Sequence, residues 1–66
     1  MNVLKLKGKR TENGLTQEEL AEKTGISSIS YCRKENGTRE FNCSEISKII
    51  IALRLNEREV MEIFFN

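Results

Sequence analysis

The second half of the chain carries its apolar residues at a helical spacing. Four aliphatic side chains recur at positions i, i+3, i+4 and i+7, namely Ile46, Ile49, Ile50 and Leu53. This spacing places them on one face of an α-helix, so the face is predicted to be core, whereas Ile51 lies off it. A period-two alternation of apolar and polar residues, which would indicate a half-buried strand, persists nowhere. The pattern therefore predicts an all-α protein.

Capping residues and glycines divide the chain into five short predicted helices. Side chains suited to N-terminal capping stand before four of them: Thr16 with Glu19, Ser27, Asn42 with Glu45, and Asn56 with Glu59. In the paired cases the second residue can bond back to the cap, as in a capping box. The first three helices are predicted at about residues 3–13, 16–23 and 28–35, and the last two start at the asparagine caps. Gly14 ends the first helix, since glycine readily adopts the positive φ found at helix C-termini.

Length and composition fit one small domain. The chain has 66 residues, of which 38% are hydrophobic, enough for a single core over residues 1–66. A core of this size rarely supplies more than roughly 3–5 kcal/mol, so we expect a bound partner to add noticeably to stability. There is neither a long apolar run nor a basic stretch followed by an apolar one. We therefore expect no membrane span, no signal peptide and a cytoplasmic location.

The residue types present argue against enzyme chemistry and metal binding. The chain contains no histidine, and its two cysteines, Cys32 and Cys43, lie far apart. Cys/His zinc sites and the usual general base are both missing, and neither a phosphate-cradling glycine loop nor a nucleophile beside a base is found. We therefore expect two reduced thiols, no metal, no cofactor, no small-molecule ligand and no catalytic activity.

Charge is distributed unevenly along the chain. The net charge of +1 is weak support for a nucleic-acid partner, because domains that bind nucleic acids are usually basic overall. Basic residues cluster at two places: Lys5, Lys7, Lys9 and Arg10, and then Arg33, Lys34 and Arg39. An acidic stretch between them contains Glu12, Glu18, Glu19 and Glu22. Taken alone, these clusters are equally consistent with an ordinary solvated surface of mixed charge. The choice between that interpretation and a nucleic-acid-binding surface depends on the motif between the clusters.

A helix-turn-helix is predicted over about residues 17–36. Two short helices joined by a tight turn need a small residue where they cross and a glycine where the backbone reverses, and Ala21 and Gly25 supply both. In such a unit the second helix lies in the major groove of double-stranded DNA, while the first crosses the backbone. The predicted recognition helix covers about residues 28–35.

The residues of this unit resemble those of a known family. LTQEELAEKTGIS at residues 15–27 and ENG at residues 35–37 resemble the XRE family of phage repressor and Cro-type DNA-binding domains. Later residues are similar to a subgroup of small phage-associated regulators of Firmicutes: Phe41, Glu45, Ile46, Leu53, Arg54, Leu55, Ile63, Phe64 and Phe65. The resemblance implies a compact five-helix domain that binds an operator, most similar to a Cro-like repressor of a phage or mobile element. An activator or an excision factor stays open.

Candidate base contacts lie on the outward face of the predicted recognition helix. Positions i, i+1, i+4 and i+5 share one side of a helix, and here they are Ser28, Ile29, Cys32 and Arg33. The Arg33 guanidinium can bond both O6 and N7 of a guanine, although a phosphate contact or an idle surface position is the other reading. Ile29 either meets a thymine methyl group or packs inward, and both readings stay open.

Phosphate contacts are expected from six polar residues: Gln17, Ser27, Lys34, Asn36, Arg39 and Lys9. For Gln17 and Asn36 the role is implied by the resemblance, and the exposed amides at a helix N-terminus support it for Gln17. An ordinary surface glutamine is the alternative for Gln17. A turn into Gly37 is the alternative for Asn36, since asparagine tolerates left-handed backbone. The basic residues in the set suit phosphates by their charge.

Polar residues at three positions bear on how the predicted helices pack. Arg10 and Glu35 match family positions that pair across the domain, which would lock the first helix to the end of the third; two independent solvated charges are the alternative. Tyr31 stands where the family usually has an aliphatic core residue. Its ring can be buried if the hydroxyl finds a partner.

The apolar C-terminal end supports two interpretations. Met61, Phe64 and Phe65 are most simply core together with the seam of a homodimer, which we expect at least on DNA. The alternative function is a protein-interaction module, such as an antitoxin-like partner, that binds another protein through this end. Binding to random-sequence duplex discriminates between the two, because the affinity of a DNA binder falls steeply as salt rises.

Overall fold

The computed structural model describes residues 1–65, which form five α-helices and no strand. They are α1 (Val3–Glu12), α2 (Gln17–Thr24), α3 (Ser28–Glu35), α4 (Cys43–Leu53) and α5 (Glu57–Phe64). The predicted all-α, five-helix domain is confirmed. The first helix ends one residue before its predicted end and the second extends one residue beyond it. Within the same residues, no helix is both long and apolar enough to cross a membrane.

Local side-chain caps begin the helices. The Thr16 hydroxyl accepts a hydrogen bond from the Glu19 amide at 3.0 Å, and the Glu19 carboxylate accepts one from the Thr16 amide at 2.9 Å. The same reciprocal pattern starts α4 and α5. Asn2 caps α1 by accepting from the Lys5 amide at 3.1 Å, a cap that the sequence pattern did not reveal. These bonds satisfy amides that a helix start leaves without partners, so the boundaries are encoded locally.

All five helices contribute to one core. The buried apolar side chains are Leu6, Leu20, Ala21, Ile26, Tyr31, Ile49, Leu53, Leu55 and Ile63. Of the predicted apolar stripe on α4, Ile49 and Leu53 are buried and Ile46 and Ile50 are partly buried, while Ile51 is 77% exposed. α2 packs against both α3 and α4, and α1 packs against α5 and α3. The packing holds α3 from behind and leaves part of its surface free.

A glycine turn joins α2 to α3. Gly25 closes α2 with φ +69°, a left-handed conformation that costs glycine little because it has no Cβ. The next residue, Ile26, is buried and donates its amide to the Ala21 carbonyl at 3.0 Å. This bond anchors the chain reversal to the small residue at which the two helices cross.

An aromatic chain supports the inner side of α3. The Tyr31 ring is fully buried and lies 5.7 Å from the Phe41 ring, which is in turn 6.2 Å from that of Phe64. The Tyr31 hydroxyl makes no hydrogen bond of standard geometry within residues 1–65, although the Glu35 carboxylate lies close enough to interact with it. Burial, together with the nearby Glu35 carboxylate, raises the pKa of Tyr31 far above its ordinary value. Tyr31 thus acts as a neutral core residue at all physiological pH values.

Candidate nucleic-acid interface

Residues from the start of α2 and from one side of α3 line one shallow depression on the surface. Its lining is Gln17, Glu18, Ser28, Ile29, Cys32 and Arg33, and we call it the reading surface. It brings together the four side chains expected to contact bases and one expected to contact phosphate. Glu18 also lines it, although the sequence did not mark that residue as part of a site. Two helices separated by a turn therefore build a single surface.

Ile29 is displayed on the reading surface and does not pack inward. Its side chain is 66% exposed. The alternative in which Ile29 joins the core is therefore wrong for this structure. An isolated apolar side chain on a protein surface is common and needs no special explanation. Its place among polar side chains does, however, give the reading surface one apolar contact of the kind that a thymine methyl group favours.

Arg33 is a free cation on the reading surface. Its side chain is exposed, and within residues 1–65 no carboxylate forms an ion pair with it. The neighbouring Cys32 is partly buried, and its sulfur accepts a weak hydrogen bond of 3.6 Å from the Asn36 side-chain amide. The guanidinium is thus available to an external acceptor without first breaking a contact inside the protein.

Two helix N-termini meet beside this surface. Gln17 is the first residue of α2, and Ser27 is the N-terminal cap of α3. The Ser27 hydroxyl accepts from the Ser30 amide at 3.2 Å, which leaves its own proton free to be donated. Amides and dipoles at the start of a helix attract anions. Gln17 and Ser27 are therefore placed where a phosphate would be favoured.

The turn after α3 places its left-handed residue at Gly37 and not at Asn36. Asn36 has φ −78° and ψ −3°, a right-handed conformation, while Gly37 has φ +85°. The alternative in which Asn36 serves the turn through left-handed backbone is wrong, because Gly37 takes that conformation at lower cost. Asn36 is exposed, and so is Arg39, which forms no ion pair within residues 1–65.

Lys34 is held by an acidic partner inside the domain. Its ammonium lies 2.8 and 2.7 Å from the two carboxylate oxygens of Glu45, and the two side chains are only 16% and 15% exposed. Burial alone would raise the pKa of Glu45, but the hydrogen bonds from Lys34 and from the Asn42 amide outweigh it and lower that pKa. The pair ties the end of α3 to the start of α4. Lys34 would have to break it to reach a phosphate.

Lys9 is likewise engaged within the protein. Its ammonium pairs with Glu59 on α5 and lies 3.3 Å from the Glu12 carboxylate. The hydrogen bond to Glu59 and then that to Glu12 raise the pKa of Lys9, and the bond from Lys9 lowers that of Glu59. Lys9 does not line the reading surface. Its charge serves the packing of α1 against α5.

Arg10 and Glu35 form a buried ion pair behind the reading surface. Glu35 is fully buried and the Arg10 side chain is 13% exposed. Arg10 Nε lies 3.1 Å from both Glu35 carboxylate oxygens, and Nη2 lies 3.1 Å from Oε1. A further guanidinium nitrogen donates to the Leu15 carbonyl at 2.8 Å. These bonds fix the end of α3 relative to α1 and to the α1–α2 loop.

The chain matches one known family over most of its length. A family model described as helix-turn-helix matches residues 6–60, which include α1 to α4 almost entirely and the first residues of α5. Neither a curated protein nor a solved structure is significantly similar to the chain. Within residues 1–65, no cluster of three or more His, Cys, Asp or Glu side chains is arranged to hold a metal ion.

Proposed function

Because the chain belongs to the XRE-type helix-turn-helix family of DNA-binding transcriptional regulators, we propose that it recognises a specific operator by placing α3 in the major groove. The observation that carries this proposal is the reading surface. It displays a free arginine, an exposed isoleucine and a serine on the outward side of α3, next to the start of α2. The family's mode of docking puts that side against base edges.

The proposed base contacts divide by chemistry. Arg33 donates to O6 and N7 of a guanine, an interaction worth about 1–3 kcal/mol of discrimination. Ile29 packs on a thymine methyl group. Ser28 and Cys32 have shorter side chains and contact the base edges that lie nearest to α3. Removal of the Arg33 side chain is therefore expected to weaken the base preference at one base pair of the operator more than at any other.

The proposed phosphate contacts are fewer than the sequence suggested. Gln17, Ser27, Asn36 and Arg39 are available at the edges of α2 and α3, and none of them is tied to a charged partner within residues 1–65. Lys9 and Lys34 are left out because each is already paired with a carboxylate. Phosphate contacts of this kind set the register and orientation on the duplex without reading sequence.

We infer that the protein binds its operator as a homodimer. Large apolar side chains stay exposed on α1 and α5 or beside them: Met1, Leu4, Met61 and Phe65. The two helices lie together at this end, where the Asn2 amide donates to the Ile63 carbonyl at 2.7 Å. Apolar surface of this kind favours self-association, and a two-fold dimer would read half-sites about one helical turn, roughly 34 Å, apart.

Repression by occupancy is the simplest consequence of such binding. A domain that covers an operator overlapping a promoter excludes the transcription machinery without needing a ligand or a catalytic step. In this proposal the protein acts as a Cro-like repressor of a phage or mobile element, in line with the family resemblance of residues 15–27 and 35–37.

Site selection from a random duplex pool, followed by titration of variants, tests the proposal. The wild-type protein is expected to enrich a two-fold symmetric sequence, and its affinity is expected to fall steeply with rising salt. Arg33→Ala should lower affinity for the selected site by about 5- to 150-fold, the equivalent of 1–3 kcal/mol. The Lys48→Ala variant is the matched control, because Lys48 is an exposed cation on α4, outside both the reading surface and the proposed dimer surface.

Two outcomes contradict the proposal. Equal affinity of the Arg33→Ala and Lys48→Ala proteins for the selected site, with both variants melting like wild type, would show that α3 is not in the interface. Failure to bind any duplex at low salt would favour the protein-interaction alternative, in which Met61 and Phe65 contact another protein.

A further inference from the structure

Glu18 is an acidic residue on the reading surface whose carboxylate forms no ion pair within residues 1–65. It is the second residue of α2, it is exposed, and it lines the depression together with Arg33. The capping box of α2 uses Glu19 and leaves the Glu18 carboxylate free.

A free carboxylate at this place opposes binding to DNA in general. Double-stranded DNA carries about one negative charge per 1.7 Å of helix axis, so Glu18 meets like charge on every duplex. The cations that could screen it inside the protein are either engaged elsewhere, like Lys34, or exposed and available to DNA, like Arg33. The repulsion is the same for all sequences unless a base offers the carboxylate a hydrogen-bond donor.

Cytosine is the base whose major-groove edge fits a carboxylate. It presents its N4 amino group as a donor. Adenine places the N7 acceptor next to its N6 amino group, and guanine and thymine offer acceptors only. A carboxylate on the same surface as the proposed guanine reader Arg33 therefore gains its best contact at a cytosine. At adenine the N7 acceptor offsets the contact with N6, and guanine and thymine offer only repulsion.

We propose that Glu18 is a specificity-determining residue, which accepts a hydrogen bond from a cytosine amino group and penalises duplexes that lack a cytosine at that position. This inference rests on the proposed function, since it requires the reading surface to face the groove. Discrimination then arises from repulsion of wrong sites as well as from attraction to the right one.

Three substitutions on α2 distinguish the proposed hydrogen bond between Glu18 and cytosine from the general effect of negative charge. Glu18→Gln removes the charge and supplies an amide, which pairs with N6 and N7 of adenine. Glu18→Asp keeps the charge but shortens the side chain. Glu22→Gln is the matched control, because Glu22 is an exposed carboxylate of the same helix that does not line the reading surface. Thermal melting of each protein verifies that the fold is retained.

The experiment combines site selection from a random duplex pool with titration of the selected site and of random duplex. The wild type is expected to select a cytosine at one position of each half-site. Glu18→Gln should lose that preference or replace it by adenine, bind random duplex more tightly, and show a ratio of specific to random affinity at least about fivefold lower. Glu18→Asp should lose specific affinity without gaining random affinity. Glu22→Gln should select the wild-type sequence with an unchanged ratio.

The possible failures are distinguishable. If wild type selects an operator and Glu18→Gln selects the same bases with the same affinity ratio, Glu18 is not a specificity determinant, while the proposed function stands. If Glu22→Gln lowers the ratio as much as Glu18→Gln, the effect is one of overall charge and the inference is again overturned. If wild type selects no sequence, the proposed function fails and this inference fails with it.

Discussion

Removal of Arg10 should unfold much of the protein, although Arg10 lies outside the reading surface. Glu35 is fully buried and receives three N–H···O contacts of 3.1 Å from the Arg10 guanidinium. Arg10→Ala leaves a buried carboxylate without its cation, which typically costs about 3–5 kcal/mol. The whole domain is expected to be stable by only roughly 3–5 kcal/mol. The two figures are of the same size, so the variant should be substantially unfolded without denaturant.

Urea unfolding followed by far-ultraviolet circular dichroism measures the effect. Lys5→Ala is the matched control, because Lys5 forms an ion pair of 2.6 Å with Glu62 whose side chains are 33% and 43% exposed. Loss of such a surface pair costs at most about 1 kcal/mol. The double variant Arg10→Met/Glu35→Leu removes both charges and should be markedly more stable than Arg10→Ala, since apolar replacements of buried ion pairs are often neutral or stabilising.

A small effect would refute this reasoning. If Arg10→Ala unfolds at the same urea concentration as Lys5→Ala, the pair between α1 and α3 does not hold the domain together. If the double variant is as unstable as the single one, the loss lies in the Arg10 bond to the Leu15 carbonyl or in packing, and not in an unpaired buried charge.

Three further predictions concern single positions. Arg54 holds φ +52° at the C-terminal cap of α4, so Arg54→Gly should relieve strain and stabilise the protein by about 1 kcal/mol; a lower melting temperature would contradict this. Because the pKa of Glu45 is lowered in the fold, its ion pair contributes stability above the unfolded value near 4.5, and that stability is lost as pH falls through the folded pKa. Glu45→Gln should therefore be less stable at neutral pH yet lose less stability between neutral pH and pH 4; parallel pH profiles would contradict the assignment. Alkylation with a maleimide should abolish DNA binding in a Cys43→Ser protein, whose remaining thiol is Cys32 on the reading surface, and spare it in a Cys32→Ser protein; equal binding by both labelled proteins would place Cys32 away from the duplex.

The helices could be predicted from the sequence because their signals are local. A capping box such as Thr16 with Glu19 involves residues three positions apart, and the chain needs no tertiary structure to form it. The outward side of α3 follows from helical periodicity in the same way. Ile29 marks the limit of periodicity, which placed it on the outward side while its apolar side chain favoured burial, and only the packing of α2 against α3 decided its exposure.

The engaged cations could not be predicted from local pattern. Lys34 and Glu45 are 11 positions apart, and Lys9 and Glu59 are 50 positions apart. Whether such residues meet depends on which helices are neighbours, and from the sequence each lysine has the charge of a phosphate contact. Glu18 was missed for the opposite reason: an acidic residue at a helix start is adequately explained by the helix dipole, so nothing in the pattern indicated that it faces the same depression as Arg33.

The placement of α3 against duplex DNA is tested most directly by NMR titration of the isotope-labelled protein with random-sequence duplex at low salt. The backbone signals of the reading surface should shift most, above all those of Gln17, Ser28 and Arg33, and the shifts should reverse as salt is raised. Signals of exposed α4 residues such as Ile51, outside both the reading surface and the proposed dimer surface, should move little. Shifts confined to helices other than α2 and α3, with α3 unperturbed, would contradict the account.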